Sequence, residues 1–276
     1  MKFVRCWLSV LLVMAWSGLI QAETTYSVGV VPQFDVRQIE VMWRPLLQQL
    51  SQRSGVRLEL VVSPDIPEFE RQFETGKFHF AYMNSYHAIV ANRSQGYLPL
   101  VRDVNKQLNG IVVVRKDSPI TLVDQLDGRV IAMPAPNALA AALLPRAEFA
   151  NAFKIEPVIR YVRSHDSVYL NVAVGAMDAG AGVARTLQKQ PLPVRNRLRV
   201  LHQTRSVATY PLMAHPAVPE DVRKRLQEAF IELGQSAEGK ALLAGIPMVN
   251  PGIASQQDYQ SLTELGLERF YARKGH

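Results

Sequence analysis

Three consecutive residues, Ser164, His165 and Asp166, have the side-chain types of a nucleophilic catalytic triad. Adjacent residues cannot generally reach the mutual geometry that a triad requires, and the chain has no Gly-x-Ser-x-Gly elbow. His165 instead lies between a predicted strand and a predicted helix, where an imidazole can donate a hydrogen bond to an anion. A surface histidine, or one satisfied in the core, is the alternative interpretation. If these residues act on a ligand, the pattern favours anion binding over nucleophilic catalysis.

A second candidate site lies where the apolar run Val130–Met133 ends. This run predicts a short strand, and Pro134 and Pro136 stop its pairing with neighbouring strands. Asn137 is a favourable helix N-cap, and the alanine- and leucine-rich residues after it are strongly helix-forming. Free backbone N–H groups at a helix N-terminus favour anions, and open α/β sheets bind ligands at such strand–helix junctions. An ordinary strand–helix connection in a core is the alternative.

The sequence offers little support for other ligand classes. The glycine-rich residues 175–182 match neither a P-loop nor a dinucleotide fingerprint, and are better explained by a close approach of strands. The six histidines lack the spacing of metal ligands, so we expect no metal and no cofactor. The formal net charge of +7 includes no basic run dense enough for nucleic acid, and fits a small anionic ligand better than a polyanion.

The remaining sequence predicts the elements that would position these residues. Predicted strands alternate with predicted helices at the spacing of parallel βαβ units, which indicates the α/β class. Ser85 is expected to cap the helix that ends at Asn92. Tyr82, Tyr86 and Tyr210 lie at strand ends or in an extended segment, where aromatic side chains either line a cleft or pack half-buried. The predicted strands cover residues 26–31, 57–63, 78–82, 98–104, 110–115, 130–133, 157–162 and 199–202.

The N-terminal residues have the pattern of a secretory signal peptide. Lys2 and Arg5 precede an apolar run over residues 7–20, and Ala22 supplies a small residue at a cleavage point. The apolar run is too short for a comfortable membrane span, so an uncleaved anchor is the less favoured alternative. The only cysteine, Cys6, lies in this segment, and the exported chain would therefore rely on packing rather than on disulfides.

Short motifs along nearly the whole mature chain resemble one protein family. Singly each motif is weak, but their order and spacing are similar to the phosphate/phosphite/phosphonate-type periplasmic substrate-binding proteins of ABC transporters. The matching segments are residues 43–46, 73–76, 114–120, 126–129, 136–137, 145–146, 164–166 and 175–179.

The resemblance implies a type II periplasmic-binding fold. In this α/β fold, two lobes are joined by two crossing strands, and the ligand lies in the cleft between them. The crossings are expected near residues 108–111 and 202–210. The implied division of the chain is a signal peptide over residues 1–22, lobe one over residues 23–107 and 208–276, and lobe two over residues 108–207.

The chain departs from the family pattern at positions that bind ligand. Family members that bind phosphonates carry Ser-Thr-Ser-Gly after Pro-Asn, whereas this chain has Ala138, Leu139, Ala140 and Ala141. The lost hydroxyl groups would remove side-chain hydrogen bonds worth about 0.5–1.5 kcal/mol each, and Leu139 would intrude on the ligand space. Members that bind aminophosphonates hold the amine with acidic side chains, and those places hold Arg185 and Tyr210. The family histidine is kept as His165.

The resemblance and the residues together predict a periplasmic solute-binding protein that closes on a small anionic ligand, either phosphonate-like or another oxyanion. Its partners would be this ligand and an ABC permease, and we expect a monomer. A periplasmic ligand-sensing module for a membrane sensor kinase or cyclase is the alternative, and no enzymatic activity is expected. The expected ligand-binding residues are Gln33, Phe34, Tyr82, Asn84, Ser85, Tyr86, Asn137, Ala138, Leu139, Ala140, His165, Arg185 and Tyr210.

The signal-peptide pattern predicts cleavage after Ala22 on export. Mass spectrometry of protein recovered from the periplasm should give a mature N-terminus at Glu23, because Ala22 is the small residue that ends the apolar segment. Recovery of an intact chain beginning at Met1 in the membrane fraction would contradict this prediction.

Overall fold

The computed structural model describes residues 24–272, and the predicted signal segment lies outside the described residues. Helices and strands alternate along the chain. The helices are α1 Val36–Ser54, α2 Ile66–Glu74, α3 Ser85–Gln95, α4 Leu144–Glu148, α5 His165–Ala173, α6 Ala184–Gln188, α7 Leu192–Arg195, α8 Glu220–Leu233 and α9 Ala237–Gly245. The strands are β1 Thr25–Val30, β2 Arg57–Val62, β3 Phe80–Tyr82, β4 Leu98–Asp103, β5 Gln107–Leu108, β6 Ile111–Arg115, β7 Val130–Met133, β8 Val158–Tyr161, β9 Ala179–Gly182, β10 Leu198–Gln203, β11 Val207–Ala208, β12 Leu212–Ala214 and β13 Pro251–Ile253.

Short helical turns complete the secondary structure. One 3₁₀ turn lies at Val123–Leu126, and two more lie near the C-terminus at Gln256–Leu265 and Leu267–Arg269. Turns with π-helical hydrogen bonding, Leu139–Leu143 and Phe149–Phe153, flank α4 on both sides, so helical backbone is continuous through this region.

The strands form two main sheets. Sheet one has six strands in the order β13-β4-β12-β3-β1-β2, and sheet two has five in the order β10-β6-β9-β7-β8. The predicted parallel pairing is confirmed for β1 with β2 and β3, and for β7 with β8 and β9. It is wrong for the other main-sheet pairs, which are antiparallel. The reason is the chain path, because β12 enters sheet one on the return from sheet two rather than through a helical crossover.

The chain passes between the two sheets twice, at neighbouring places. It leaves sheet one after β4 and enters sheet two at β6, and it returns between β10 and β12. The two passages pair with each other as the antiparallel strands β5 and β11, with Leu108 opposite Val207 and Gln107 opposite Ala208. This is the arrangement of two lobes joined by two crossing strands, with the crossings where the family resemblance places them.

Helix α1 shows how the sequence builds a lobe. Asp35 caps its first turn by accepting from the Gln38 backbone N–H at 2.9 Å, and Gly55 ends it in the left-handed conformation. The apolar residues that recur along one face of α1 are buried against sheet one, as their spacing predicts. These residues are Ile39, Trp43, Leu46, Leu47 and Leu50.

A separate apolar cluster, which we call the hinge core, joins the crossing strands to both lobes. It combines residues of α3, of the helical region around α4, of β11 and of the C-terminal turns. Its buried members are Tyr86, Leu139, Ala140, Leu143, Leu144, Ala147, Val183, Val207, Tyr259, Leu262 and Leu267. Within residues 24–272, no helix combines the length and apolar character needed to cross a bilayer.

Gly110 lies beside the first crossing strand at a point where its backbone nearly touches that of Ala140. A Cβ atom built on Gly110 would lie 1.9 Å from the carbonyl oxygen of Ala140. The Gly110 N–H also donates to the Thr204 hydroxyl at 2.8 Å, which fixes its position between the two passages. The absence of a side chain at Gly110 is therefore a condition for the close approach of the helical turn to the hinge.

We predict that Gly110→Ala lowers the free energy of unfolding by roughly 1–3 kcal/mol or more, because the backbone must shift to admit the methyl group. Urea denaturation of both proteins measures the difference. The matched control is Gly245→Ala, since a Cβ there meets only Met42 at 3.9 Å and the residue lies in α9. The control should change stability by no more than about 1 kcal/mol, and equal losses in the two variants would contradict the prediction.

Candidate functional site

A cavity of about 760 Å³ lies between the two sheets, at the carboxyl ends of their strands. Loops that follow β1, β2 and β3 form one wall, and loops that follow β7, β8 and β9 form the other. This is where ligands bind in open α/β sheets. Seven of the residues expected from the sequence line it: Gln33, Phe34, Asn84, Ala138, Ala140, His165 and Tyr210.

A smaller cavity of about 230 Å³ adjoins the first on the side of the crossing strands. Two further expected residues, Tyr82 and Arg185, line it. Gln33 and Tyr210 belong to both walls, and the Gln33 Nε2 donates to the Tyr210 hydroxyl at 3.0 Å. This hydrogen bond therefore lies at the junction between the two spaces.

The four remaining expected residues are engaged around the hinge. The Ser85 hydroxyl donates to the Ala208 carbonyl at 2.6 Å, and the Tyr86 ring packs 5.4 Å from the Tyr271 ring. Leu139 is fully buried in the hinge core, so the expectation that its side chain intrudes on the ligand space is wrong. The helical turn directs this side chain toward β11 and the C-terminal turns, where it packs against other apolar side chains of the hinge core.

Asn137 does not cap the following helix, and that prediction is wrong. Its side-chain Nδ2 donates to the Ala272 carbonyl at 2.9 Å, and its Oδ1 accepts from the Ala272 N–H at 2.8 Å. The amide thus pairs with the C-terminal segment as a backbone unit would. The Asn137 carbonyl accepts from Asn84 Nδ2 at 3.2 Å, which connects the two lobes beside the cavity.

The N-cap of α3 is Asn84 rather than Ser85. Asn84 Oδ1 accepts from the backbone N–H groups of Tyr86 and His87 at 3.0 and 2.8 Å. The prediction was wrong by one residue because Asn and Ser cap helices about equally well, and the Ser85 hydroxyl is already bonded to β11.

The helical N-termini at the cavity differ in one respect. The helices α1, α2, α3 and α5 begin there with side-chain caps, whereas the turn at Leu139 and the short helix α6 begin at Ala138 and Val183 without one from the described residues. The caps are Asp35, Asp65, Asn84 and Ser164. The first N–H groups after Ala138 thus remain for a ligand, and such groups attract anions.

His165 is buried at the start of α5 and lines the larger cavity. Its Nδ1 lies 3.3 Å from the Thr186 hydroxyl oxygen. Burial lowers the pKa of His165 to about 4, against a smaller opposing effect of Asp166. The imidazole is therefore neutral near pH 7 and can interact with a ligand as a dipole rather than as a cation.

Arg185 reaches across the cleft to the opposite lobe. Its Nη2 donates to the carbonyl groups of Ala244 and Gly245 at the end of α9. The Phe34 ring lies against two cations: its centroid is 5.7 Å from the Arg185 guanidinium carbon and 4.4 Å from the Lys189 ammonium nitrogen. Burial lowers the pKa of Arg185 below its usual value. A cation from lobe two therefore contacts a helix C-terminus and an aromatic face of lobe one.

Sequence reasoning missed several cavity residues after β2 and β8: Pro64, Asp65, Ile66, Pro67, Tyr161 and Arg163. The signal was present, because these strands end at the same edge as the strands that were considered. Ser164 and Asp166, which the sequence singled out beside His165 but which were not among the expected ligand-binding residues, line the cavity too. Arg163 has a left-handed backbone, with φ of 73°, immediately before the α5 cap. Such a conformation in a residue other than glycine is uncommon and concentrates at binding sites.

Comparison with known proteins identifies relatives over most of the chain. The family model described as "ABC transporter, phosphonate, periplasmic substrate-binding protein" matches residues 28–259. The "Phosphonates-binding periplasmic protein" of Escherichia coli (strain K12) is 21% identical over 237 residues, which cover 81% of this chain and 70% of that protein.

Two solved structures show the same fold. PhnD1 from Prochlorococcus marinus (MIT 9301), in complex with methylphosphonate, has a TM-score of 0.78 at 18% identity and covers 89% of this chain and 98% of its own. The binding protein component of an ABC phosphonate transporter from Pseudomonas aeruginosa has a TM-score of 0.75 at 18% identity and covers 90% of this chain and 88% of its own.

The buried, neutral His165 makes stability depend on pH in a defined direction. Between pH 6.5 and about 4 the unfolded chain binds a proton at this residue and the folded chain does not, so stability falls as the pH is lowered through that window. We predict that His165 accounts for a loss of up to about 3 kcal/mol across it. His165→Gln removes this contribution, and urea denaturation at pH 7 and pH 4.5 should show a flatter dependence in the variant. Identical pH dependence in the two proteins would contradict the assignment.

Proposed function

The chain belongs to the periplasmic phosphonate substrate-binding family of ABC transporters, and from that premise we propose that it captures a small oxyanion in the cleft between its two sheets. The observation that carries the proposal is the uncapped turn at Leu139, where Ala138, Ala140 and Ala141 line the cavity, whereas α1, α2, α3 and α5 begin there with side-chain caps. Backbone N–H groups there supply the donors that an oxyanion requires, and the neutral imidazole of His165 lines the same cavity.

The cellular setting follows from the same premise. We propose that residues 1–22 are a cleaved signal peptide and that the mature chain works in the periplasm as a monomer. Lobe one comprises residues 23–107 and 208–276, lobe two comprises residues 108–207, and the closed form presents ligand to an ABC permease. The family assignment favours this transport role over a sensor role or an enzymatic role.

The ligand class is narrowed by what lines the cleft. Ala138, Ala140 and Ala141 have no hydroxyl groups, so a phosphonate is held by backbone N–H groups with fewer bonds than in relatives with Ser-Thr-Ser-Gly. The methylphosphonate complex of PhnD1 supports a small phosphonate as the first probe. The apolar part of the lining and the volume of about 760 Å³ also admit oxyanions with an organic group larger than methyl.

Ligands with an amine are proposed to bind poorly. Arg185 and Tyr210 line the smaller cavity, at the places where amine-binding members carry acidic residues. An ammonium group there would meet the guanidinium of Arg185 instead of a carboxylate, and like charges in a partly buried site repel. The Gln33–Tyr210 hydrogen bond adds a neutral polar boundary to this subsite.

We predict that methylphosphonate binds and that 2-aminoethylphosphonate binds at least about tenfold more weakly, because Arg185 disfavours the ammonium group. Isothermal titration calorimetry measures both affinities, and small-angle scattering should show a smaller radius of gyration with methylphosphonate as the lobes close. Inorganic phosphate and acetate complete the panel.

Two variants separate the site from general charge effects. Arg185→Gln should narrow the difference between the two phosphonates, although it also removes the contact with the end of α9. Lys189→Gln is the matched control, since Lys189 contacts Phe34 from a more exposed position and should leave the ratio nearly unchanged. Tight binding of 2-aminoethylphosphonate by the unmodified protein would contradict the proposed selectivity, and binding of no oxyanion would overturn the proposed ligand class.

A further inference from the structure

His165 is held from behind by a buried hydrogen-bond cluster on α5, α6 and the end of β9. The Tyr169 hydroxyl accepts from the Val183 N–H at 3.0 Å and lies 2.8 Å from the Val183 carbonyl oxygen. The Thr186 hydroxyl lies 2.9 Å from that same carbonyl and 2.9 Å from the Tyr169 hydroxyl. Its third neighbour is Nδ1 of His165 at 3.3 Å. Tyr169 and Thr186 are both buried.

The number of protons available in this cluster determines which imidazole nitrogen of His165 is protonated. The hydroxyl groups of Tyr169 and Thr186 bring one proton each. Three pairs of oxygen atoms lie 2.8–2.9 Å apart, because each hydroxyl oxygen contacts the Val183 carbonyl oxygen and the two hydroxyl oxygens contact each other. If Thr186 gave its proton to His165, two of these contacts would bring lone pairs together without a hydrogen. If Nδ1–H donates to Thr186, only one contact lacks a hydrogen. The second arrangement satisfies more buried polar atoms.

We infer that Thr186 fixes His165 as the Nδ1–H tautomer, so that Nε2 offers the ligand a lone pair and selects an oxyanion that carries a proton. The ring lines the cavity and Nδ1 faces Thr186, which leaves Nε2 as the nitrogen for the ligand. A neutral imidazole with a protonated Nδ1 accepts a hydrogen bond at Nε2. This inference rests on the proposed function and specifies the protonation state of its ligand.

The glycine-rich segment acquires a role in the same cluster. A Cβ atom built on Gly182, the last residue of β9, would lie 2.1 Å from the Tyr169 hydroxyl oxygen. The missing side chain therefore lets the hydroxyl reach the Val183 backbone and complete the cluster behind His165. Thr186 and Tyr169 are positioning residues, because they act on the ligand through the histidine.

The consequence is discrimination between oxyanions of nearly equal size. A singly protonated phosphonate has a P–OH group that can donate to Nε2 and other oxygens that accept from the turn after Ala138. A sulfonate carries the same single charge but no proton, so one oxygen must face the lone pair of Nε2. A site that requires a donor on its ligand rejects an analogue that lacks it.

The first experiment needs no ligand. Long-range ¹H–¹⁵N correlation spectra of the full mature chain at pH 7 report which ring nitrogen of His165 is protonated. We expect Nδ1–H in the unmodified protein, a shift toward Nε2–H in Thr186→Val, and retention of Nδ1–H in the matched control Thr186→Ser. Thermal unfolding of each variant verifies folding. An Nε2–H tautomer in the unmodified protein, or no change in Thr186→Val, would overturn the inference.

The second experiment compares methylphosphonate with methanesulfonate by calorimetry near pH 6. We expect the phosphonate to bind at least about tenfold more tightly in the unmodified protein and in Thr186→Ser, and the ratio to shrink in Thr186→Val. Equal affinities in the unmodified protein would overturn the inferred selectivity. If neither probe binds, the proposed oxyanion function fails, while the tautomer measured by spectroscopy still decides whether Thr186 sets the state of His165.

Discussion

The cleft depends on the pairing of β5 with β11. These two-residue strands are where the chain leaves sheet one and where it returns, and their antiparallel pairing keeps both passages at one edge of the molecule. The hinge core packs against this pair, and Gln107 and Leu108 of β5 line the smaller cavity. Short connecting strands can absorb backbone rotation without disturbing either main sheet, as hinges of two-lobed binding proteins do. The closure proposed above would therefore require backbone rotation in only a very small part of the chain.

The ligand-binding chemistry of the cleft comes largely from backbone N–H groups, and few of these groups remain available to a ligand. Several wall residues are prolines, which have no N–H to offer, and the acidic side chains Asp35 and Asp65 are engaged by the first turns of their own helices. Asp166 accepts from Gln190 at 2.6 Å. The turn after Ala138 thus supplies backbone N–H donors toward the cavity that no side chain of the described residues caps. A few oriented dipoles in a weakly polar space act more strongly than the same groups in water.

The sequence was sufficient for the class of fold, for most element positions and for the location of the cleft. Apolar periodicity located α1, and turn residues such as Gly55 marked where helices end, because both effects are local. The role of Asn137 could not be predicted, since its side chain forms a hydrogen bond with Ala272, which lies 135 residues away along the chain. The burial of Leu139 and the direction of β12 also depend on how distant segments meet. Local patterns do not contain that information.

A row of aromatic rings runs from the core of lobe one to the wall of the cleft. Trp43 packs with its ring centroid 5.0 Å from that of Tyr82, and Tyr82 lies 5.8 Å from Tyr210, which borders both cavities. Among the described residues Trp43 is the single tryptophan. One buried indole emitter therefore stands two ring contacts from the ligand space. The molecule carries an intrinsic optical reporter whose spectrum can follow cleft occupancy without an attached dye.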